Sequence, residues 1–196
     1  MKKSWIVIGV LALVILWLVF SSIGSYNSMV TKDETVTGQW SQVENVYQRR
    51  ADLIPNLVST VKGYAAHEKE TLEGVVNARA KATSTTINAN NLDAAALQKF
   101  QSAQDGLSSA LSRLMVVVEK YPDLKANQNF LELQAQLEGT ENRIANERKK
   151  FNETAQDYNT YIRKFPKNLY AGMFGFEKRA YFESTAGADV APKVEF

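Results

Sequence analysis

The chain of 196 residues has no cysteine, a single histidine, four prolines and ten glycines. Without cysteine the protein can form no disulfide, no thiolate metal site and no cysteine nucleophile. The lone His67 has no further nitrogen or sulfur ligand to complete a metal site, which leaves only an all-carboxylate site open. Because helix breakers are few and Ala, Leu, Gln, Glu, Lys and Asn are frequent, the composition predicts an all-α protein.

An excess of one charge and the common catalytic motifs are also missing. The 23 basic and 21 acidic residues nearly balance, so net charge gives no reason to expect a nucleic-acid partner. No G-x-S-x-G, H-E-x-x-H or P-loop pattern occurs. The sequence therefore predicts no enzyme, no cofactor and no metal. A hydrolase that uses Glu68, Glu73 or Glu141 is a weaker alternative, because nothing in the spacing of these carboxylates supports it.

What is present begins with a long uncharged run, WIVIGVLALVILWLVFSSI, from Trp5 to Ile23. At about 1.5 Å of rise per residue this run spans about 28 Å, which is the thickness of one hydrocarbon core. It predicts a single transmembrane helix within an anchor at residues 1–24. A cleaved signal peptide is the alternative, although the apolar run is longer than a usual h-region. The two lysines before the run favour an N-terminus in the cytoplasm and a body outside it.

After the anchor, composition divides the chain into a polar connector at 25–33, a helical bundle at 34–166 and an aromatic, glycine-containing tail at 167–196. Thr31 and Glu34 fit a capping box, which predicts that the first soluble helix begins near Thr31. That helix carries a stripe at steps of three and four: Val36, Trp40, Val43, Tyr47, Arg50, Ile54, Leu57, Val61 and Tyr64.

The rest of the body also shows a helical period. Pro55 predicts a kink in the first helix, which either breaks near Gly63 or continues to Ala82. If it breaks, Leu72, Val75, Val76 and Arg79 share the buried face of a separate segment. A loop is predicted at 83–91, with Asn91 as the cap of the next helix.

Two further stripes follow, one ended by Pro122 and the other starting near Asn127 and stopped by Pro166. Their members are Leu97, Phe100, Ala103, Leu107, Leu111, Leu114, Val118 and Tyr121, and then Phe130, Leu133, Leu137, Ile144, Phe151, Ala155, Tyr158, Ile162 and Phe165. Long amphipathic segments with short links predict an antiparallel up-and-down bundle. An open rod completed by other chains is the alternative.

Arg50 stands in the first stripe among apolar residues, where a guanidinium needs a carboxylate partner. Glu141 and Arg148 lie in gaps of the last apolar stripe. Arg50 and Glu141 each lie about fourteen residues into their helices, so they would meet at one level if those helices ran parallel. We expect a structural polar layer that sets helix register, with a binding pocket around Arg50 as the alternative.

The tail has aromatic residues spaced by glycines: Tyr170, Phe174, Phe176, Tyr181, Phe182 and Phe196, with Gly172, Gly175 and Gly187. This pattern predicts irregular chain that covers one end of the bundle. A docking peptide for a partner is the alternative.

Two long blocks resemble a known family. They are WSQVENVYQRRADLIPNLVSTVKGYAAHEKETLEGVVNARAKA at 40–82 and LEGTENRIANERKKFNETAQDYNTYIRKFP at 137–166, preceded by a membrane span. Together they are similar to the bacterial LemA family over nearly the whole chain, with the loosest match at 83–92 and beyond Phe176. Asn56 and Asn152 also match the family's pattern and join Arg50, Glu141 and Arg148 as candidate polar-layer or interaction residues.

The resemblance implies a four-helix, bromodomain-like bundle with mirror up-and-down topology, carried by a single-pass protein of the bacterial inner membrane. It does not imply an enzyme. Members are often encoded beside membrane proteases or TPM-domain proteins, which suggests partners of those classes. We therefore expect a non-catalytic scaffold or assembly module in the cell envelope that also forms homo-oligomers. An envelope sensor or ligand-binding module is the alternative.

Overall fold

The structure, a computed structural model, describes residues 2–89 and 92–183. Every regular element in these ranges is a helix, and no strand occurs in them. The helices are α1 Lys2–Tyr64, α2 Lys69–Ser84, α3 Ala94–Val118, α4 Pro122–Lys125, α5 Gln128–Arg163 and α6 Lys167–Phe174. The prediction of an all-α protein with one long apolar N-terminal helix is confirmed.

Helix α1 has 63 residues and runs without interruption from the apolar segment into the body. The predicted start of a separate helix near Thr31 is wrong. The Thr31 hydroxyl donates to the carbonyl of Asn27, four residues earlier, at 2.9 Å, so it bonds within a continuing helix and caps nothing. Residues 25–33 are therefore part of α1, and Ser25 and Met29 are already buried against the body.

The N-terminal part of α1 is the candidate transmembrane segment. It is the one helix in the described part of the chain that is long and apolar enough to cross a membrane. Trp5, Trp17 and Ile23 are all exposed, and none of the apolar side chains between them is buried by protein. A row of exposed apolar side chains of this length needs an apolar surrounding, which the described residues of the body do not supply.

The long helices alternate in direction. Helix α5 is antiparallel to α1, because contacts in ascending order along α1 fall in descending order along α5: Lys32 with Asp157, Gln39 with Glu147, Arg50 with Glu141, and Tyr64 with Asn127. Helix α2 turns back along α1, where Arg79 Nε donates to the carbonyl of Ala51 at 2.7 Å. Helix α3 reverses again, since Tyr121 just after it bonds to Glu68 just before α2.

The first helix of the body does break, because α1 ends at Tyr64 and α2 begins at Lys69. The predicted stripes form most of the core, and three of their residues are exposed. Tyr64 is exposed because the turn that follows carries the chain away from the core. Val76 is exposed because it lies about 100° around the helix from buried Val75. Phe165 is 81% exposed because α5 has ended at Arg163 and its period no longer applies.

Side-chain caps start two of the long helices. Asp93 Oδ1 accepts from the backbone N–H of Ala96 at 2.7 Å and begins α3. The predicted cap, Asn91, lies outside the described residues. Asn127 Oδ1 accepts from the N–H of Phe130 at 3.0 Å and begins α5, where the sequence predicted that start.

The core consists of two apolar clusters. One lies nearer the candidate span and includes Trp40, Tyr47, Phe100, Ile144, Phe151, Tyr158 and Phe182. The other lies at the far end and includes Ile54, Leu57, Leu107, Leu114, Phe130 and Leu137. On α1, α3 and α5 alike, the chain passes from one cluster to the other within about two turns. The tail joins the first cluster through Phe182. The prediction of irregular chain is wrong for residues 167–174, which form α6; the glycines that suggested it include Gly175, whose left-handed backbone ends this helix. Residues 176–183 are not helical, and they run along α5. Gly187 and Phe196 lie outside the described residues.

Candidate functional site

Arg50 lies between the two apolar clusters and is only 1% exposed. Its Nη1 donates to Glu141 Oε1 at 2.7 Å and to Ser108 Oγ at 3.0 Å. Its Nη2 donates to the side-chain oxygen of Gln104 at 2.6 Å and to the carbonyl of Gln104 at 3.3 Å. These four hydrogen bonds join α1 to α3 and α5 at one level, which we call the arginine layer: Arg50, Gln104, Ser108 and Glu141.

The layer extends to α2 and to the aromatic cluster beside it. Gln104 Nε2 donates to the carbonyl of Ala82 on α2 at 3.4 Å. The Arg50 guanidinium lies 5.1 Å from the ring centre of Tyr47, a cation–π distance. Burial raises the pKa of the Tyr47 phenol, and the positive charges of Arg148 and Arg50 partly oppose that rise. A guanidinium does not lose its proton in a protein, so this charge must be met by fixed partners.

Arg50 and Glu141 meet for a reason opposite to the one inferred from the sequence. That inference required parallel helices, whereas α1 and α5 are antiparallel. Each residue lies fourteen positions from the hydrogen bond between Tyr64 and Asn127 at the far end of the body. Equal distances from a shared end bring two residues to one level in antiparallel helices.

Gln104 and Ser108 are the members of the layer that sequence analysis missed. Both are uncharged, so neither stood out as a partner for Arg50. A signal was present, because Gln104 and Ser108 follow Phe100 at steps of four and so share the inner face of α3. A polar pair on that face, between apolar neighbours, indicates a second polar side of the layer.

The other predicted polar residues lie elsewhere. Arg148 and Asn152 are two and three turns further along α5 than Glu141, which is about 10–16 Å, so they cannot reach Arg50. Both contact the tail instead. Asn56 is exposed on α1 beside Pro55 and faces away from the layer. The structure therefore brings together only Arg50 and Glu141 of the five.

Two asparagines on α5 hold the tail by paired amide bonds, and we call them the tail clamp. Asn159 Nδ2 donates to the carbonyl of Arg179 at 2.8 Å, and Asn159 Oδ1 accepts from the N–H of Arg179 at 2.9 Å. Asn152 makes the same pair with Phe182, at 2.9 and 2.8 Å. The two asparagines are seven residues apart on the helix, and the two tail residues are three residues apart in extended chain. Both separations are about 10 Å, so each asparagine lies opposite one tail residue.

Charged groups hold the two ends of this tail segment. Arg179 forms a two-pronged pair with Asp33 on α1, with Nε to Oδ1 and Nη2 to Oδ2 each at 2.9 Å. Arg148 donates to the carbonyl of Glu183 at 3.0 Å and lies 4.7 Å from the ring centre of Phe182. Tyr158 donates to the carbonyl of Glu177, and burial together with the Asp33 carboxylate raises the pKa of Tyr158 to about 12. The described tail is thus bonded to the body along its length.

Two recesses adjoin the arginine layer. One is a cavity of about 90 Å³ on the α2 side, between Tyr47 and Gln104. This is well below the ~300 Å³ at which pockets for small-molecule ligands begin. The other is a groove of about 340 Å³ between α3 and α5, lined by Ser108, Leu111, Ser112, Met115, Gln134, Leu137, Glu138 and Glu141. No cluster of three or more metal-binding side chains occurs in residues 2–89 or 92–183.

These features define an all-helical protein with a candidate membrane segment, an arginine layer between two apolar clusters and a tail bonded to the last long helix. Comparison with known proteins gives the family. The model of the LemA family matches residues 39–196. The chain belongs to the LemA family.

Curated proteins similar to this chain include two named as magnetosome proteins and one named LemA. The chain is 30% identical over 181 residues to "Magnetosome protein MamQ" of Magnetospirillum gryphiswaldense, covering 84% of this chain. It is 29% identical to "Magnetosome protein MamQ 2" of Paramagnetospirillum magneticum, again covering 84%. The chain spans 66% of the length of each of these relatives. It is 23% identical over 184 residues to "Protein LemA" of Metamycoplasma hominis, covering 94% of this chain and 80% of that protein.

Proposed function

We propose that this chain is a non-catalytic, membrane-anchored scaffold of the bacterial cell envelope. The observation that carries the proposal is helix α1, which contains the candidate span and also forms one side of the core. Because no joint separates the two parts, the body stands at a set distance from the membrane. At ~1.5 Å per residue, Arg50 lies about 40 Å beyond Ile23.

The architecture we propose for the body is an up-and-down four-helix bundle made of α1, α2, α3 and α5. Their alternating directions support it, and the family resemblance suggests a bromodomain-like bundle with mirror topology. In this arrangement the arginine layer sets register, because sliding one helix by a single turn would separate Arg50 from Gln104 and Glu141. A stable register preserves the shape of the outer surface.

The groove between α3 and α5 is the surface we assign to a protein partner. Its base is apolar through Leu111, Met115 and Leu137, and its α5 rim carries Glu138 and Glu141. This pairing suits one face of a partner helix with apolar residues flanked by Lys or Arg. Membrane proteases and TPM-domain proteins are the partner classes suggested by the family resemblance, and nucleic acid is not among them. The relatives named as magnetosome proteins support an assembly role.

A crosslinking pair of neighbouring positions tests this groove. A photoreactive amino acid at Met115, which lines the groove, is expected to give one discrete adduct in membranes. The same group at Val116, which is 68% exposed but does not line the groove, is the matched control. Ser112→Arg on the groove rim should abolish the adduct, whereas Ser109→Arg, exposed on the same helix, should not.

Each pattern of adducts has one interpretation. An adduct that forms at Met115 alone and is lost with Ser112→Arg supports a docking groove. If the mass of that adduct is twice the mass of the chain, the partner in the groove is a second copy. Equal adducts at Met115 and Val116 would contradict a specific groove. No adduct at either position in membranes that contain the full complement of envelope proteins would also contradict it.

The orientation we propose places the N-terminus in the cytoplasm and the body outside it. The absence of cysteine allows a direct test, because Ser84→Cys introduces the sole thiol at an exposed position at the end of α2. A membrane-impermeant maleimide is expected to label this variant in cells whose outer membrane alone is permeabilised. Labelling only after lysis would reverse the orientation and move the search for partners into the cytoplasm.

A further inference from the structure

A patch of exposed apolar side chains lies beside helix α6. Phe165 is 81% exposed and Met173 is 76% exposed, and Leu169 between them is also exposed. Leu169 and Met173 are four residues apart in α6 and so share one face, while Ala171 on the opposite face is buried. We call Phe165, Leu169 and Met173 the α6 face. The apolar face of an amphipathic helix is normally buried against protein or lipid.

The position of α6 along α1 indicates what covers that face. Helix α6 packs against α1, and the ring of Phe174 lies 5.0 Å from the ring of Tyr26. Tyr26 is three residues beyond Ile23, the end of the candidate span, which is about 4.5 Å along the helix. The headgroup layer extends about 5–8 Å beyond the hydrocarbon core on each side. A membrane crossed by α1 therefore places the Phe174 end of α6, which includes Met173, within the headgroup layer.

A second set of contacts gives the same level. Lys32 on α1 pairs with Asp157 on α5, and α5 continues toward the membrane for six more residues to Arg163. In antiparallel helices this brings Arg163 to about the level of Tyr26. Phe165 is two residues further along the chain than Arg163. The end of α5 and the Phe174 end of α6 thus lie near one height, next to the end of the span.

Basic residues outnumber acidic ones at this height, where Glu177 and Lys178 follow Phe176, whose ring lies 5.7 Å from that of Tyr26. Residues 158–176 contain three basic residues, Arg163, Lys164 and Lys167, and no acidic residue. On α1, no charged residue occurs between Lys3 and Lys32. Basic residues around an apolar face are the combination by which amphipathic helices bind anionic phospholipid. A protein partner would not have to lie at the height of the headgroups, whereas a lipid surface does.

We infer that the α6 face inserts into the headgroup layer and is a second membrane contact, with Arg163, Lys164 and Lys167 against anionic phospholipid. The inference rests on the proposed anchoring of the chain by α1. One helix alone leaves the body free to tilt and to rotate about the helix axis. A second contact to one side of that axis holds one face of the body toward the membrane.

Spin-label depth measurements on the full chain test this inference. Because the chain has no cysteine, Met173→Cys, Val116→Cys and Ile15→Cys each supply one site for a nitroxide. The labelled chains are reconstituted into vesicles of phosphatidylcholine and phosphatidylglycerol, and collisions with oxygen and with a polar nickel chelate are measured. Met173 and Val116 are similarly exposed, at 76% and 68%, so they form a matched pair on α6 and at the far end of α3.

The expected result is a several-fold lower nickel collision rate at Met173 than at Val116, with high oxygen accessibility at Met173 and Ile15. If Met173 resembles Val116 while Ile15 collides mainly with oxygen, the inference is overturned and the anchor stands. If Ile15 is also open to nickel, the anchor itself fails. Protection of Met173 from both reagents, with spin–spin broadening, would overturn the inference in favour of a second copy.

A second variant tests the role assigned to the basic residues. Replacing Lys164 and Lys167 together by glutamine is expected to shift the Met173 label toward water in vesicles that contain phosphatidylglycerol. The same variant should show no shift in vesicles of phosphatidylcholine alone. An unchanged depth in both would overturn the role assigned to anionic lipid, because the basic residues would then add nothing to insertion.

Discussion

Replacing Glu141 by alanine is expected to lower the free energy of unfolding by about 3 kcal/mol, the low end of the range for a broken buried ion pair. Arg50 would keep its charge at 1% exposure with only Gln104 and Ser108 as partners. The loss stays near the low end because the Glu141 side chain is half exposed, so water can reach the site. Chemical denaturation of the full chain in detergent, followed by far-UV circular dichroism, measures the change.

Two variants separate the ion pair from the general effect of losing a carboxylate. Glu138→Ala removes an exposed glutamate one turn earlier on α5 and is expected to change the free energy by less than about 0.5 kcal/mol. The double change Arg50→Leu with Glu141→Leu should recover most of the loss, because it removes both charges together. If Glu141→Ala proved no more destabilising than Glu138→Ala, the layer would contribute nothing to the fold.

Replacing Trp40 by alanine is expected to cost about 4 kcal/mol, within the range for truncating a large core aromatic residue. Trp40 is fully buried, and its ring packs edge-on against Phe100 and Phe151 and is stacked with Phe182. It thus joins α1 to α3, α5 and the tail at once. Removing the indole leaves a cavity that three separate elements would have to close, so the site can collapse only partly.

Controls on the same residue type make the Trp40 result specific. Trp40→Phe keeps a ring in place and should lose less stability than the alanine variant. Trp17→Ala removes a tryptophan of the candidate span that contacts no core cluster, and the unfolding of the body should be unaffected. Limited proteolysis provides a second measurement, since loss of the Trp40 contact with Phe182 should loosen the Phe182 end of the tail and make it easier to cut. A Trp40→Ala chain with unchanged denaturation and an uncut tail would contradict this role.

The two variants affect the molecule differently. Trp40 stabilises the cluster nearest the candidate span, where the tail clamp and α6 also lie. Glu141 completes the layer that aligns α1, α3 and α5, beside the groove proposed for a partner. We therefore expect Trp40→Ala to disturb the membrane-proximal end and Glu141→Ala to disturb the groove. Hydrogen exchange measured separately for the tail and for α3 distinguishes the two effects.

Much of the fold followed from local pattern. A residue's position on a helix face depends only on spacing along the chain, so the stripes through Trp40, Phe100 and Phe151 were correct. The candidate span followed from an uncharged run of sufficient length. The start near Asn127 followed from cap chemistry. Errors occurred where periodicity stops, at Tyr64 and Phe165, and at Thr31, where a hydroxyl that can cap a helix bonds within one instead.

By itself, then, the sequence determined the helical class, the candidate membrane segment, most of the core residues and the need of Arg50 for a partner, because each depends on residues close together in the chain. Only the tertiary structure decided that Gln104 and Ser108 complete the arginine layer and that Asn159 joins Asn152 in holding the tail. It also decided that a groove separates α3 from α5. These features depend on the distances and directions between helices, which antiparallel packing sets and which spacing along one helix does not contain.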